Sequence, residues 1–242
     1  MQELLLAMLG WGVGAFVNGI VGFGAALVAM PILAFGIDMT LAVPCAGLLV
    51  LVLNFQMVWN YRRHLALGGM GPLLAGALPG ALAGAYMLRF MSESALRLGL
   101  GAVLIGYGLW GLLARRAERR ELGKPWAVLT GLLSTSFGTA YGINGPPLAV
   151  YLSFRGGGQQ ETKAALGAFF IVSGVFVVVA QALAGVYSMH VAKLAAVSVP
   201  AMLLGGWAGM RLSNGIGDAH FQAGLYLMLL VMGANMLRLG LL

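Results

Sequence analysis

Eight predominantly apolar runs make up most of the chain, at about 4–35, 41–60, 66–88, 95–113, 125–154, 164–187, 191–210 and 219–239. Short polar stretches separate them: Asp38, Arg62-Arg63-His64, Arg89 to Arg97, Arg155 to Lys163, and Arg211 to Asp218. Runs of this kind approach or exceed the ~20 residues a helix needs to cross a bilayer. Hydrocarbon offers no partner to a backbone N–H or C=O, so a spanning segment satisfies these groups within itself, as a helix does. The pattern predicts an all-α, polytopic membrane protein.

The first and fifth runs are the longest, and both are interrupted by small and helix-disrupting residues. The first reads Asn18-Gly19-Ile20-Val21-Gly22-Phe23-Gly24-Ala25-Ala26 and continues to Pro31-Ile32-Leu33. The fifth reads Ser134-Thr135-Ser136-Phe137-Gly138-Thr139-Ala140-Tyr141-Gly142-Ile143-Asn144-Gly145-Pro146-Pro147 and continues to Tyr151-Leu152. An offset of 120 places Gly22 on Gly142, Gly24 on Asn144, Ala25 on Gly145 and Pro31 on Tyr151. A second pair of segments agrees: Leu78-Pro79-Gly80-Ala81-Leu82-Ala83-Gly84 and Val199-Pro200-Ala201-Met202-Leu203-Leu204-Gly205. An arginine closes each of those runs, Arg89 and Arg211. The expected organisation is two homologous membrane repeats, 1–114 and 125–242, joined by a cytoplasmic basic linker at 115–124, with a broken or re-entrant helix opening each repeat. Duplicated, interrupted hydrophobic segments point to the substrate site of a transporter.

Parity sets the symmetry. If each opening run makes one crossing, each half has four crossings and the repeats run parallel. If it folds back as a hairpin, each half has three and the repeats are inverted. With the linker inside, the hairpin puts Arg155, Lys163 and Arg211 inside, and the single crossing puts Lys193 and Arg238 there. Cytoplasmic loops carry the excess of Lys and Arg, which favours the hairpin and the inverted repeat.

Charged residues are 9% and apolar residues 60% of the 242, too little polar surface for a soluble domain of this size. The net charge of +7 then reads as loop charge and not as a nucleic-acid footprint. Cys45 is the only cysteine, so an intrachain disulfide and a cysteine-based metal cluster are excluded. Met1-Gln2-Glu3 brings no basic segment and no cleavage site follows, so the first run is expected to stay in the mature protein. No His, Cys, Asp and Glu cluster has metal-ligand spacing, and no nucleophile elbow or phosphate loop occurs. The expectation is no metal, no cofactor, no catalytic residues and no enzyme activity. No carboxylate falls in mid-span, which speaks against a cation substrate.

Neutral hydrogen-bond donors concentrate at the two interruptions. Glycine there lets a ligand approach the peptide N–H groups. Pro146-Pro147 suits the first turn of a new helix, which puts Asn144 or Gly145 at its N-cap, beside free N–H groups and the positive end of the helix dipole. This is an anion site made without a buried cation. The candidate substrate-binding residues are Asn18, Gly22, Gly24, Ala25, Ser134, Thr135, Thr139, Gly142, Asn144, Gly145 and Pro146, with the second copy supplying more of the contacts. The glycine pairs Gly10 and Gly14, Gly76 and Gly80, Gly80 and Gly84, and Gly205 and Gly209 read as helix-packing contacts. Asn54, Gln56, Asn60, Gln181 and Asn235 read as interhelical hydrogen-bond partners, with lining of the pathway as the alternative. Trp11, Trp59, Tyr61, Trp110, Trp126, Tyr187 and Trp207 lie largely near run ends, as interfacial anchors do.

These motifs resemble the sulfite exporter TauE/SafE family: Gly22-Phe23-Gly24 with Pro31-Ile32-Leu33, and Gly142-Ile143-Asn144-Gly145-Pro146 with Tyr151-Leu152. The match in length and layout covers essentially the whole chain. Ala25, Ala26 and Asn144 stand where many members have glycine. The resemblance implies a transporter, working as an exporter, for sulfite, organosulfonates or related small anions. The expected setting is the inner (cytoplasmic) membrane, multi-pass, with lipid and a small inorganic or organic anion as partners and homo-oligomerisation left open. The rival readings are an anion channel and a membrane-embedded enzyme or assembly factor.

Overall fold

The computed structural model describes residues 2–64, 68–113, 122–155, 159–213 and 219–241. The basic linker therefore lies outside the described residues, except for 122–124. Among the described residues the chain forms ten α-helices: α1 (Gln2–Val21), α2 (Ala25–Leu33), α3 (Met39–Tyr61), α4 (Met70–Phe90), α5 (Glu93–Leu113), α6 (Lys124–Tyr141), α7 (Gly145–Arg155), α8 (Gln159–Leu183), α9 (Met189–Leu212) and α10 (Ala219–Leu241). Seven of these are long and apolar enough to cross a membrane: α1, α3, α4, α5, α8, α9 and α10. Their outward faces carry apolar stripes such as Leu5, Leu9 and Val13 on α1 and Leu78, Leu82 and Tyr86 on α4. Such stripes need lipid to cover them.

Both opening runs are hairpins of a long and a short helix. Gly14 of α1 lies against the backbone of Ala25, Gly10 against Leu33, and Gly36 beside Leu6. As residue numbers rise along α2 they fall along α1, so α2 turns back toward the end where α1 began. The chain then enters α3 near its starting level, where the Met39 N–H donates to Glu93 Oε1 at 2.8 Å.

Glycines set the register of the remaining pairs. Gly76 and Gly80 of α4 lie on the backbone of Val128 and Leu132 of α6, and Gly205 and Gly209 of α9 lie on Gly12 and Phe16 of α1. In both pairs the numbers rise together, so the helices run parallel. In the other pairs they run opposite: Gly101 of α5 meets Gly233 of α10 and Gly108 meets Leu230, while Gly47 of α3 meets Gln181 of α8 and Gly167 meets Val58. At α4, α9 and α1 the missing Cβ lets backbones touch, which is how small residues bind membrane helices together.

These directions put the ends of α3, α5, α7 and α9 on one face with the starts of α4, α6, α8 and α10. Arg62, Arg63, Lys124, Arg155, Lys163 and Arg211 belong to this linker face. The opposite face holds both chain ends and Arg89, Arg97, Lys193 and Arg238. There Glu93 pairs with Arg97 at 3.0 Å and His190 with Glu3 at 3.0 Å. The side chains of His64 and His220 lie outside the described residues.

Two expectations change. Trp11 and Tyr61 are not exposed interfacial anchors: Trp11 is fully buried and Tyr61 nearly so, whereas Trp59, Trp126 and Trp207 are exposed. Asn54 bonds within its own helix, donating Nδ2 to the Val50 carbonyl at 2.7 Å. Gln56 and Gln181 do bridge helices, donating to Leu203 and Thr139 carbonyls at 3.1 and 3.0 Å.

Candidate functional site

The first hairpin tip reverses the chain in three residues. Gly22 and Gly24 adopt φ of 100° and 101°, a region open to glycine and strained for any side chain. The Gly22 N–H still closes onto the Asn18 carbonyl at 2.7 Å. Gly24, the N-cap of α2, has no side chain to cap with. Asn18 does it from α1 instead, its Oδ1 accepting from the Ala25 N–H at 3.4 Å. The next two N–H groups of the first turn, Ala26 and Leu27, have no intrahelical acceptor.

The second tip uses a different device. Gly142 closes α6 with φ 76°, its N–H donating to the Gly138 carbonyl at 3.1 Å and that of Ile143 to Phe137 at 3.3 Å. These overlapping bonds satisfy the last carbonyls of the helix. Ser134 donates its hydroxyl to the Asn144 carbonyl and so ties the loop to α6. Helix α7 starts at Gly145 with Pro146 and Pro147 in its first turn. Proline fits that turn but brings no N–H, so Gly145 is the donor left among the first three helical residues.

The two tips meet. With the middles of α3 and α8 they enclose a cavity of about 20 Å³, room for about one water molecule. Asn18, Gly24, Ala25, Ala26 and Leu27 line it from the first tip, and Ile143, Asn144 and Gly145 from the second. Val50, Leu53, Asn54 and Phe170 complete the wall. Val50 to Asn54 form the central turn of α3 and Phe170 lies midway along α8, so the cavity sits at mid-bundle. Its polar groups are three asparagines and backbone N–H groups, and no lining residue is charged.

Of the residues singled out in the sequence, Asn18, Gly24, Ala25, Asn144 and Gly145 come together here. The others do not line the cavity. Gly22 lies under the Lys163 side chain, and Gly142 packs on Ala46 and Met30. Thr139 donates back to the Thr135 carbonyl at 2.8 Å, and the buried Thr135 hydroxyl has no partner. Pro146 faces an apolar cleft with Tyr107 and Trp110. The lining is drawn more from the first copy than from the second. Ser134 and Thr139 are engaged by carbonyls, and the two prolines remove donors from α7. Among the described residues, no three His, Cys, Asp or Glu side chains come together as a metal ion requires.

A family model described as sulfite exporter TauE/SafE matches residues 6–236. The chain belongs to this family. It is 25% identical over 244 residues to a protein of Cupriavidus necator named "Probable sulfite/organosulfonate exporter TauE", with 97% of this chain and 95% of that one covered. No solved structure matches the chain. As a TauE/SafE family member, this multi-pass membrane protein is a transporter and not an enzyme.

Asn54 lines the cavity, the alternative reading for the polar residues inside the runs. One feature of this TauE/SafE protein escapes a reading by composition. Lys163 reads as the end of a polar stretch between runs. It is instead buried in α8 at 3% exposure, its Nζ 3.5 Å from the Gly19 carbonyl and 5.5 Å from the Tyr61 ring centroid. Helix counting held the only signal: Gln159 starts the helix, so Lys163 falls one turn inside it.

Proposed function

We propose that this transporter exports small sulfur oxyanions, sulfite and organosulfonates among them, across the cytoplasmic membrane of a bacterium, linker face inside. One observation carries the reading. Two interruptions 120 residues apart converge on one uncharged, asparagine-lined cavity at mid-bundle, each bringing a helix N-terminus. Helix N-termini present N–H groups and a positive dipole end, which suits oxygen-rich anions without binding them too tightly for release. The anion's oxygens sit against the N–H groups of Ala26, Leu27 and Gly145, with side-chain contacts from Asn18, Asn54 and Asn144. A cavity that holds about one water must widen to admit an anion.

Further support comes from arrangement and charge. Helices 1–5 and 6–10 exchange partners as two inverted repeats do: α1 with α9 and α6 with α4 run parallel, and the self-paired α3–α8 and α5–α10 run antiparallel. The linker face holds more of the described basic residues, as a cytoplasmic face does, and Arg115, Arg116, Arg119 and Arg120 fall in the sequence between α5 and α6. The name of the Cupriavidus necator relative supports the substrate class.

The test is flux of sulfite and of a fixed-charge sulfonate in liposomes holding purified protein. Asn18→Ala and Asn144→Ala should each impair flux while the protein stays monodisperse. Wild-type flux in both removes the proposed site, and unsaturable, ohmic current would make the protein a channel.

A further inference from the structure

The three asparagines of the cavity are not interchangeable, because their neighbours fix which end of the amide stays free. Asn18 engages its Oδ1 with the Ala25 N–H, so its free end is the Nδ2 donor. Asn54 is the reverse. It donates to the Val50 carbonyl at 2.7 Å, and only the Nδ2 end of an amide can do so. The free end is Oδ1, an acceptor with no partner among the described residues. Gln56 Oε1, two positions on, is also unpartnered, but it is sealed from any space. Asn54 Oδ1 is not among the sealed atoms, and its side chain, 3% exposed, lines the cavity. The Asn144 amide has no partner among the described residues, so it can turn either end inward.

Donors alone would suit any oxyanion. A fixed acceptor in the wall does not, because its lone pairs oppose those of a fully ionised anion. A hydroxyl on the anion turns that repulsion into a hydrogen bond. The lining also holds no cation, and burying a second charge without one is costly. From these two observations we propose that the cavity selects singly charged oxyanions that keep one hydroxyl. It takes hydrogen sulfite over sulfite, and hydroxyalkanesulfonates over plain alkanesulfonates. The ionised oxygens face the N–H groups of Ala26, Leu27 and Gly145 and the Nδ2 of Asn18, and the hydroxyl donates to Asn54 Oδ1. This selectivity rests on the function proposed above and names the form of the anion that the site takes.

The experiment measures saturable flux of hydroxyethanesulfonate and of ethanesulfonate in liposomes at one pH. Both are fixed monoanions, and they differ by the hydroxyl. The half-saturating concentration of the hydroxylated anion should be about three- to tenfold lower, the effect of one hydrogen bond. Asn54→Leu removes the acceptor, while the helix keeps its backbone bond from position 54 to the Val50 carbonyl. The variant should bring the two anions within about twofold of each other. No preference in wild type, or a preference that survives in Asn54→Leu, overturns the proposal. Sulfite gives a reading that needs no variant. Its half-saturation, in total sulfite, should fall as pH is lowered through its second ionisation, while that of ethanesulfonate stays level. A sulfite value that stays level or rises on acidification overturns the proposal equally. Wild-type protein that prefers the hydroxylated anion in a thermal-shift assay but moves neither sulfonate keeps the selectivity and sinks the transport reading alone.

Discussion

The Cβ of Asn144 lies against Gly138, where any side chain would place its own Cβ 2.9 Å away. The offset of 120 pairs Gly138 with Asn18 and Asn144 with Gly24. Each tip thus holds one asparagine, but from opposite sides: from the long helix in the first copy and from the loop in the second. Gly138 makes room for Asn144 in the second copy, whereas a Cβ on Gly24 would meet Leu27 and not Asn18.

This exchange can be tested directly. Gly138→Asn should destabilise the protein by about 1–3 kcal/mol, the usual penalty for overpacking, and should depress anion flux. Adding Asn144→Gly recreates the first copy's arrangement in the second, and thermal stability should recover. A double variant no more stable than Gly138→Asn alone would show that the two positions do not share one space.

Asn18 carries two roles that a charge separates. Asn18→Asp keeps an acceptor for the Ala25 N–H and places a carboxylate at a helix N-terminus, where it is favourable. The protein should fold at least as well as wild type. Its anion affinity should nevertheless fall by at least about tenfold, since like charges at a shared site oppose each other. Asn18→Ala should lose about 1 kcal/mol of stability with the cap and a smaller part of the affinity. Wild-type flux in Asn18→Asp would place the anion elsewhere.

The sequence made the hairpins legible because their chemistry is local. Left-handed glycines, the prolines of α7 and the length of the opening runs all act within a few residues. Asn18, Gly24, Ala25, Asn144 and Gly145 were legible for the same reason. What was hidden depends on contacts between distant segments. Ser134 and Thr139 read as free hydroxyls, and only the fold reveals the carbonyls that engage them. Phe170 joins the cavity through helix packing that no local pattern encodes. The prolines that announce the start of α7 also bring no N–H, which leaves Gly145 as the donor of that first turn.

Glycine positions divide by what lies opposite them, and stability should follow. Gly80→Ala puts a methyl group into the Leu132 backbone, and Gly205→Ala one into that of Gly12. Neither contact can yield by a side-chain rotation, so each variant should lose about 1–3 kcal/mol or more. Gly106 of α5 has nothing within 4 Å of a new Cβ. Gly106→Ala should be neutral or stabilise the helix by about 0.5–1 kcal/mol, with flux unchanged. Thermal unfolding in one detergent ranks the three, and an equal loss in all would contradict the helix contacts.

No lining residue of the cavity is acidic or basic. A proton-coupled carrier ordinarily places an ionisable group where substrate and proton exchange. On the function proposed above, an anion that crosses with its own charge is favoured to exit by about 2.3 kcal/mol per charge at an inside-negative potential of 100 mV. Flux of a monovalent sulfonate out of liposomes should therefore accelerate under an inside-negative potassium diffusion potential and slow when the potential is reversed. A proton gradient imposed without a potential should change it little, because a sulfonate does not titrate near neutral pH. Flux indifferent to voltage, or driven by the proton gradient alone, would require a coupled ion and a site for it outside the asparagine-lined cavity.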